Sequence, residues 1–125
     1  MTLRRILLSL MALFATPLLL SVSGEASAAS SSVLAHVNRV LLSNDNRWGG
    51  CMANLSVDPN TRLASCGREW VTFSCSGHFT DPVRAYRSVD VAELALATGK
   101  RVNVYFRDTE KHNGYCFANR IDIVR

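Results

Sequence analysis

Four cysteines, Cys51, Cys66, Cys75 and Cys116, narrow what this 125-residue chain can become more than any other feature. They form no C-x-x-C pair and no H-x-x-x-H spacing accompanies them, so no metal and no other cofactor is expected. Their oxidation state depends on compartment, and the start of the chain bears on that. In MTLRRILLSLMALFATPLLLSVSGEASAAS, Arg4 and Arg5 precede an apolar run from Ile6 to Val22, and Ala26, Ser27 and Ala28 form an A-x-A exit. This is the pattern of a secretory signal peptide, residues 1–28, cleaved after Ala28. Pro17 interrupts the run, which is short for a membrane span, and the first cysteine lies too far downstream to carry a lipid anchor. The expected product, residues 29–125, is one domain without a membrane span, periplasmic or secreted. An even number of cysteines there implies two disulfides.

The charge balance is mild. Removing Arg4, Arg5 and Glu25 leaves twelve basic and nine acidic side chains, against 14 and 10 in the whole chain, a net charge of +3. A dedicated nucleic-acid binder would carry a dense basic stripe, so no dedicated nucleic-acid binding is expected.

Patterning in residues 29–125 reads mainly as strands. HVNRVLLS, His36 to Ser43, is rich in aliphatic and β-branched residues and runs into the polar loop NDNRWGG, although Val33, Val37, Val40 and Leu41 also fit a helical face. CMANLSV alternates Cys51, Ala53, Leu55 and Val57 before the turn residues DPNT, and REWVTFSC alternates Val71, Phe73 and Cys75 against Trp70, Thr72 and Ser74. From Asp81 the period becomes helical. Asp81 is an N-cap with Pro82 at the first helical position, Ala85, Val89, Ala92 and Leu96 recur along one face, and Gly99 closes the helix. A shorter helix starting at the capping box of Asp90 and Glu93 is the alternative. RVNVYFRD and YCFANRIDIVR then alternate as the last two strands.

Asn113-Gly114 is the strongest signal for a two-residue type I′ hairpin, because both central positions require positive φ. Centred there, the register faces His112 with Tyr115, Phe106 with Ile121 and Val104 with Ile123, which gathers the apolar residues on one side. In the second and third strands, pairing Leu55 with Val71 and Ala53 with Phe73 brings Cys51 opposite Cys75. The favoured bridges are therefore Cys51 with Cys75 and Cys66 with Cys116.

Three strands, one helix and two strands is the order β-β-β-α-β-β of the OB-fold, so the expected class is mainly β with one helix, an OB-like five-stranded barrel stapled by disulfides. ELALATGKRVNVYF, a helix ending at Thr98-Gly99-Lys100 and entering an alternating strand, resembles the equivalent passage in pentamer-forming B subunits of bacterial AB toxins, the subtilase-cytotoxin and pertussis-like group. The likeness covers roughly Cys51 to Arg107. It implies a small exported OB-fold that binds cell-surface glycans, compatible with a homo-oligomer. It also implies a competing bridge, Cys51 with Cys66, whose separation is similar to that group's first cysteine pair. No sugar-contacting residue is carried over from the likeness.

Chemistry in the chain favours binding over catalysis. His36, His78 and His112 are scattered, and Lys111 and His112, consecutive on a strand, point to opposite faces. No nucleophile elbow or phosphate loop is present in the sequence. OB-folds bind through the face of strands two and three and the loops joining strands one to two and four to five. The first loop offers Asn46, Arg47 and Trp48, suited to stacking on a ring and bonding its edge, and the second offers Lys111 and His112. The alternative role for Trp48 is to cover a barrel end, and Trp70 reads as structural. The expectation is an exported, non-catalytic binding module for a glycan or glycoconjugate, with Asn46, Arg47, Trp48, Lys111 and His112 as its site. An inhibitor or assembly partner of another exported protein is the alternative, and a small secreted nuclease or hydrolase a third.

Overall fold

The structure, a computed structural model, describes Gly24 and residues 28–125. The expected signal peptide therefore lies outside the described residues, apart from Gly24 and Ala28. Strands β1 (Ser30–Leu42), β2 (Cys51–Leu55) and β3 (Trp70–Thr72) are followed by helix α1 (Pro82–Thr98) and strands β4 (Arg101–His112) and β5 (Tyr115–Ile123). They close into a barrel with neighbours in the order β1-β2-β3-β5-β4, and β4 pairs back onto β1. The chain is thus mainly β with one helix in a closed five-stranded barrel, as its patterning predicts. Among the described residues no helix is long and apolar enough to cross a membrane.

β1 is a strand rather than a helix and starts at Ser30, six residues before the expected start. Val33, Ala35 and Val37 alternate inward along it, where a helix would have needed a wider spacing. Its first half pairs β4 and its second half pairs β2, with a bulge between Val37 and Arg39 where the strand bends from one partner to the other. The early start is fastened by Asp108, whose carboxylate accepts from the Ala29 N–H at 3.1 Å while its own N–H donates to the Ala29 carbonyl at 3.0 Å.

α1 spans the longer of the two expected ranges. Asp81 Oδ1 accepts from the Val83 N–H at 2.9 Å, Pro82 fills the first turn, and Gly99 ends the helix in the left-handed conformation. Ala85, Val89 and Ala92 face the core as predicted, but the next contact falls on Ala95, and Leu96 is left 42% exposed. Positions 95 and 96 straddle the continuation of the buried stripe, and the smaller side chain lets the helix lie closer to the barrel.

Both disulfides join the expected partners, Cys51 with Cys75 and Cys66 with Cys116, so the Cys51–Cys66 bridge implied by the toxin likeness does not form. The register that pointed to the first bridge is nevertheless shifted by two: Ala53 faces Val71, and Met52 faces Thr72. The reason is local. β3 stops at Thr72, and Ser74 adopts a left-handed φ of 60°, turning the chain back so that the Cys75 N–H reaches Cys51 Sγ at 3.2 Å. An even slip keeps the same residues inward, which is why the pairing survives it.

The β4–β5 hairpin turns at Asn113 and Gly114 with φ of 49° and 86°, and His112 faces Tyr115 as expected. Farther along, Val104 faces Ile121 and Val102 faces Ile123, two residues from the predicted register. Asp108, Thr109 and Glu110 bulge from β4, and Asn119 bulges from β5. Three extra residues on β4 against one on β5 leave a net slip of two, and an even slip preserves the apolar face. The core they complete contains Val33, Val37, Leu55, Val71, Phe73, Val89, Val102, Val104 and Phe106.

Candidate ligand-binding face

The outward side of β1, β2 and β3 carries two rows. Leu41, Met52 and Thr72 form one, and Arg39, Asn54 and Trp70 the other, as the strand registers dictate. Trp48 arrives from the β1–β2 loop, where Asp45 caps a short 3-10 turn over Asn46–Trp48 by accepting the Arg47 N–H at 2.8 Å. Tyr115 arrives from the start of β5. Leu41, Trp48, Met52, Trp70 and Tyr115 together line an open groove of about 190 Å³. Two guanidinium groups lie at the aromatic rings: Arg39 over Trp70 at 5.5 Å and Arg47 over Trp48 at 5.4 Å. Arg47 also pairs with Asp45 at 3.2 Å. The groove is smaller than the roughly 300 to 1,000 Å³ of pockets that engulf a small molecule, so it suits a flat ring laid on an open surface.

The hairpin tip belongs to a second cleft. Asn46, Ser76, Gly77, His78 and His112 line an open depression of about 410 Å³. His112 Nε2 lies 2.9 Å from Ser74 Oγ, and that oxygen accepts from the Phe79 N–H at 3.1 Å. Ser74 is fully buried, so its hydroxyl serves to orient the imidazole. The Phe79 ring packs against both histidines, with centroid distances of 4.7 Å to His112 and 4.6 Å to His78, and the two imidazole centres are 5.6 Å apart. Burial, reinforced by the nearby His78, holds the pKa of His112 below its ordinary value. Among the described residues, no group of three or more His, Cys, Asp and Glu side chains gathers as a metal centre.

The five sequence-predicted residues are therefore divided. Trp48 lies in the aromatic groove with Arg47 over its ring, whereas Asn46 and His112 line the histidine cleft. Lys111 leaves both, donating from Nζ to the Ser65 carbonyl at 3.2 Å, which keeps it apart from His112 as strand alternation requires. Sequence reasoning missed Trp70 and Tyr115 as partners of Trp48. The signal was present in the outward parity of Met52 and Trp70, opposite to inward Ala53 and Val71. It also missed the approach of His78 to His112, which depends on the left-handed residues Ser74 and Gly77. Comparison with protein-family models, curated proteins and solved structures returned no match.

Proposed function

We propose that this protein is an exported, non-catalytic binding module that recognises a glycan or glycoconjugate by laying a sugar ring in the groove of Trp48, Trp70 and Tyr115. The observation that carries this reading is the convergence of three aromatic side chains from three separate segments on one open face. Each offers an apolar surface for the C–H face of a pyranose and a polar edge that stays wet. Arg39, over the Trp70 ring, can hydrogen-bond ring substituents and favours a sugar bearing carboxylate or sulfate, while Arg47, over the Trp48 ring, is shared with Asp45. Lys111 and His112, first assigned to the same ligand, are committed to Ser65 and Ser74, so the polar contacts pass chiefly to Arg39. Export rests on the amino-terminal pattern and agrees with the two disulfides.

A glycan array tests the site. Trp48→Ala and Trp70→Ala should each lose most of the signal while Lys111→Ala keeps it, and equal binding by the tryptophan variants and the parent would discard the groove. The protein recovered from the medium or periplasm should begin at Ala29.

One observation favours assembly as the second reading. Val83, Tyr86 and Leu94 recur along the outer side of α1, each more than half exposed. Light scattering on the purified protein distinguishes a monomer from a homo-oligomer, and co-purification from the native host tests for a different exported partner.

A further inference from the structure

From the histidine cleft we infer a second ligand, independent of the aromatic groove: a divalent transition-metal ion of the zinc and copper class, held by the imidazoles of His78 and His112. The two rings come from segments 34 positions apart in the chain, so no local spacing motif could have announced them. Two imidazoles sharing one tetrahedral zinc, with Zn–N bonds of about 2.1 Å, have ring centres roughly 5 Å apart. The observed separation is 5.6 Å, close to that value, and His78 is exposed, so its ring has room to turn toward a shared ion.

The support behind His112 is what a metal-ligating histidine requires. One ring nitrogen must be fixed by a partner so that the other can ligate. Here Nε2 is held by Ser74 Oγ at 2.9 Å, which leaves Nδ1 for the ion. Ser74 Oγ has two lone pairs, one occupied by the Phe79 N–H, so the other can accept from Nε2–H once Nδ1 is bound to metal. On the Cδ2 and Nε2 side the ring rests against Gly49, where a β-carbon would come within 2.5 Å of Cδ2, so the imidazole is fixed before the ion arrives. Phe79 walls both rings from the side.

The cleft lining also selects the kind of ion. Asn46 and Ser76 add neutral oxygen donors, and among the described residues no carboxylate lines the depression. Hard ions such as Mg²⁺ and Ca²⁺ demand carboxylate and carbonyl oxygens, whereas imidazole suits zinc and copper. With two protein nitrogens, the remaining positions fall to water and to these oxygens. That makes an open, exchangeable site rather than a structural one.

Calorimetric titration of the oxidised, full-length mature protein with Zn²⁺ and with Cu²⁺ at pH 7.5 tests the inference. One equivalent of each should bind, copper more tightly than zinc, with no heat from Mg²⁺ or Ca²⁺. His78→Ala, an exposed change that the fold tolerates, should weaken zinc binding at least tenfold, and His112→Ala should do the same. His36→Ala should leave it unchanged. In NMR spectra, zinc should shift the ring resonances of His78 and His112 together. Unaltered affinity in His78→Ala, or a zinc response confined to His36, would overturn the site, and so would equal binding of Mg²⁺.

Discussion

Ser74 Oγ and His112 Nε2 meet at 2.9 Å across 38 residues of sequence, joining the turn after β3 to the tip of the β4–β5 hairpin. The buried position of this imidazole makes the tip sensitive to acid. Burial, with His78 beside it, lowers the pKa of the folded His112 below its ordinary value of about 6.5. In the unfolded chain the same imidazole takes up its proton at a higher pH, so below about 6.5 the unfolded state binds more protons. Stability is therefore full above that pH and declines as pH falls through the folded value. Urea denaturation between pH 7.5 and pH 5 should show the decline, His112→Gln should flatten it, and an NMR titration should place the His112 midpoint under 6.5.

Gly49 and Gly114 separate two effects of adding a methyl group. Both have positive φ, 78° and 86°, so alanine at either strains the backbone by about 1 kcal/mol. A β-carbon at Gly114 meets open space, whereas at Gly49 it lies 2.5 Å from His112 Cδ2 and 2.6 Å from Thr72 Oγ1. Gly49→Ala should cost a further ~1 to 3 kcal/mol from overpacking. Paired denaturation curves should show Gly49→Ala as clearly the less stable.

The disulfides can be read by peptide mapping, because tryptic cleavage separates all four cysteines. Non-reduced digests should contain 48–62 linked to 69–84, and 63–68 linked to 112–120. Sequence separations of 24 and 50 correspond to about 3.5 and 4 kcal/mol of loop-closure stabilisation. Replacing either pair with alanine should lower the urea midpoint substantially, and a link between 48–62 and 63–68 would contradict the fold.

Asp58 holds the long connection between β2 and β3. Its carboxylate accepts from the N–H groups of Asn60 at 3.0 Å and Glu69 at 3.1 Å, and from Arg68 Nε at 3.1 Å. Burial alone would raise its pKa, but the Glu69 N–H, the Arg68 side chain and the Asn60 N–H together bring it below the ordinary carboxylate value. That contribution is present at neutral pH and is lost as pH falls through the folded value. Asp58→Ala should cost about 1 to 3 kcal/mol and make the acid limb of the stability profile shallower.

Positions where backbone chemistry is local were legible in advance. Asn113-Gly114 announces its own turn, Asp81-Pro82 and Gly99 delimit α1, and the parity of Cys51 and Cys75 survives a two-residue slip. The slips themselves were hidden, because Glu69 and Ser74 adopt positive φ without being glycine, and the bulges at 108–110 and Asn119 answer to neighbouring strands rather than to composition. The candidate site divided along the same line. Trp48 could be picked from its loop, but only the closed barrel shows that Trp70 and Tyr115 share its groove while His112 turns toward His78.

β3 is three residues long and meets β5 through a single pair, Thr72 with Phe117, so hydrogen bonding closes the barrel only thinly there. Cys66–Cys116 ties the connection before β3 to β5 across that seam, whereas Cys51–Cys75 joins β2 to the segment just beyond β3. At this one junction a covalent bond supplements a thin ladder. Reduction would remove that covalent tie and leave the single Thr72–Phe117 pair to hold β3 against β5.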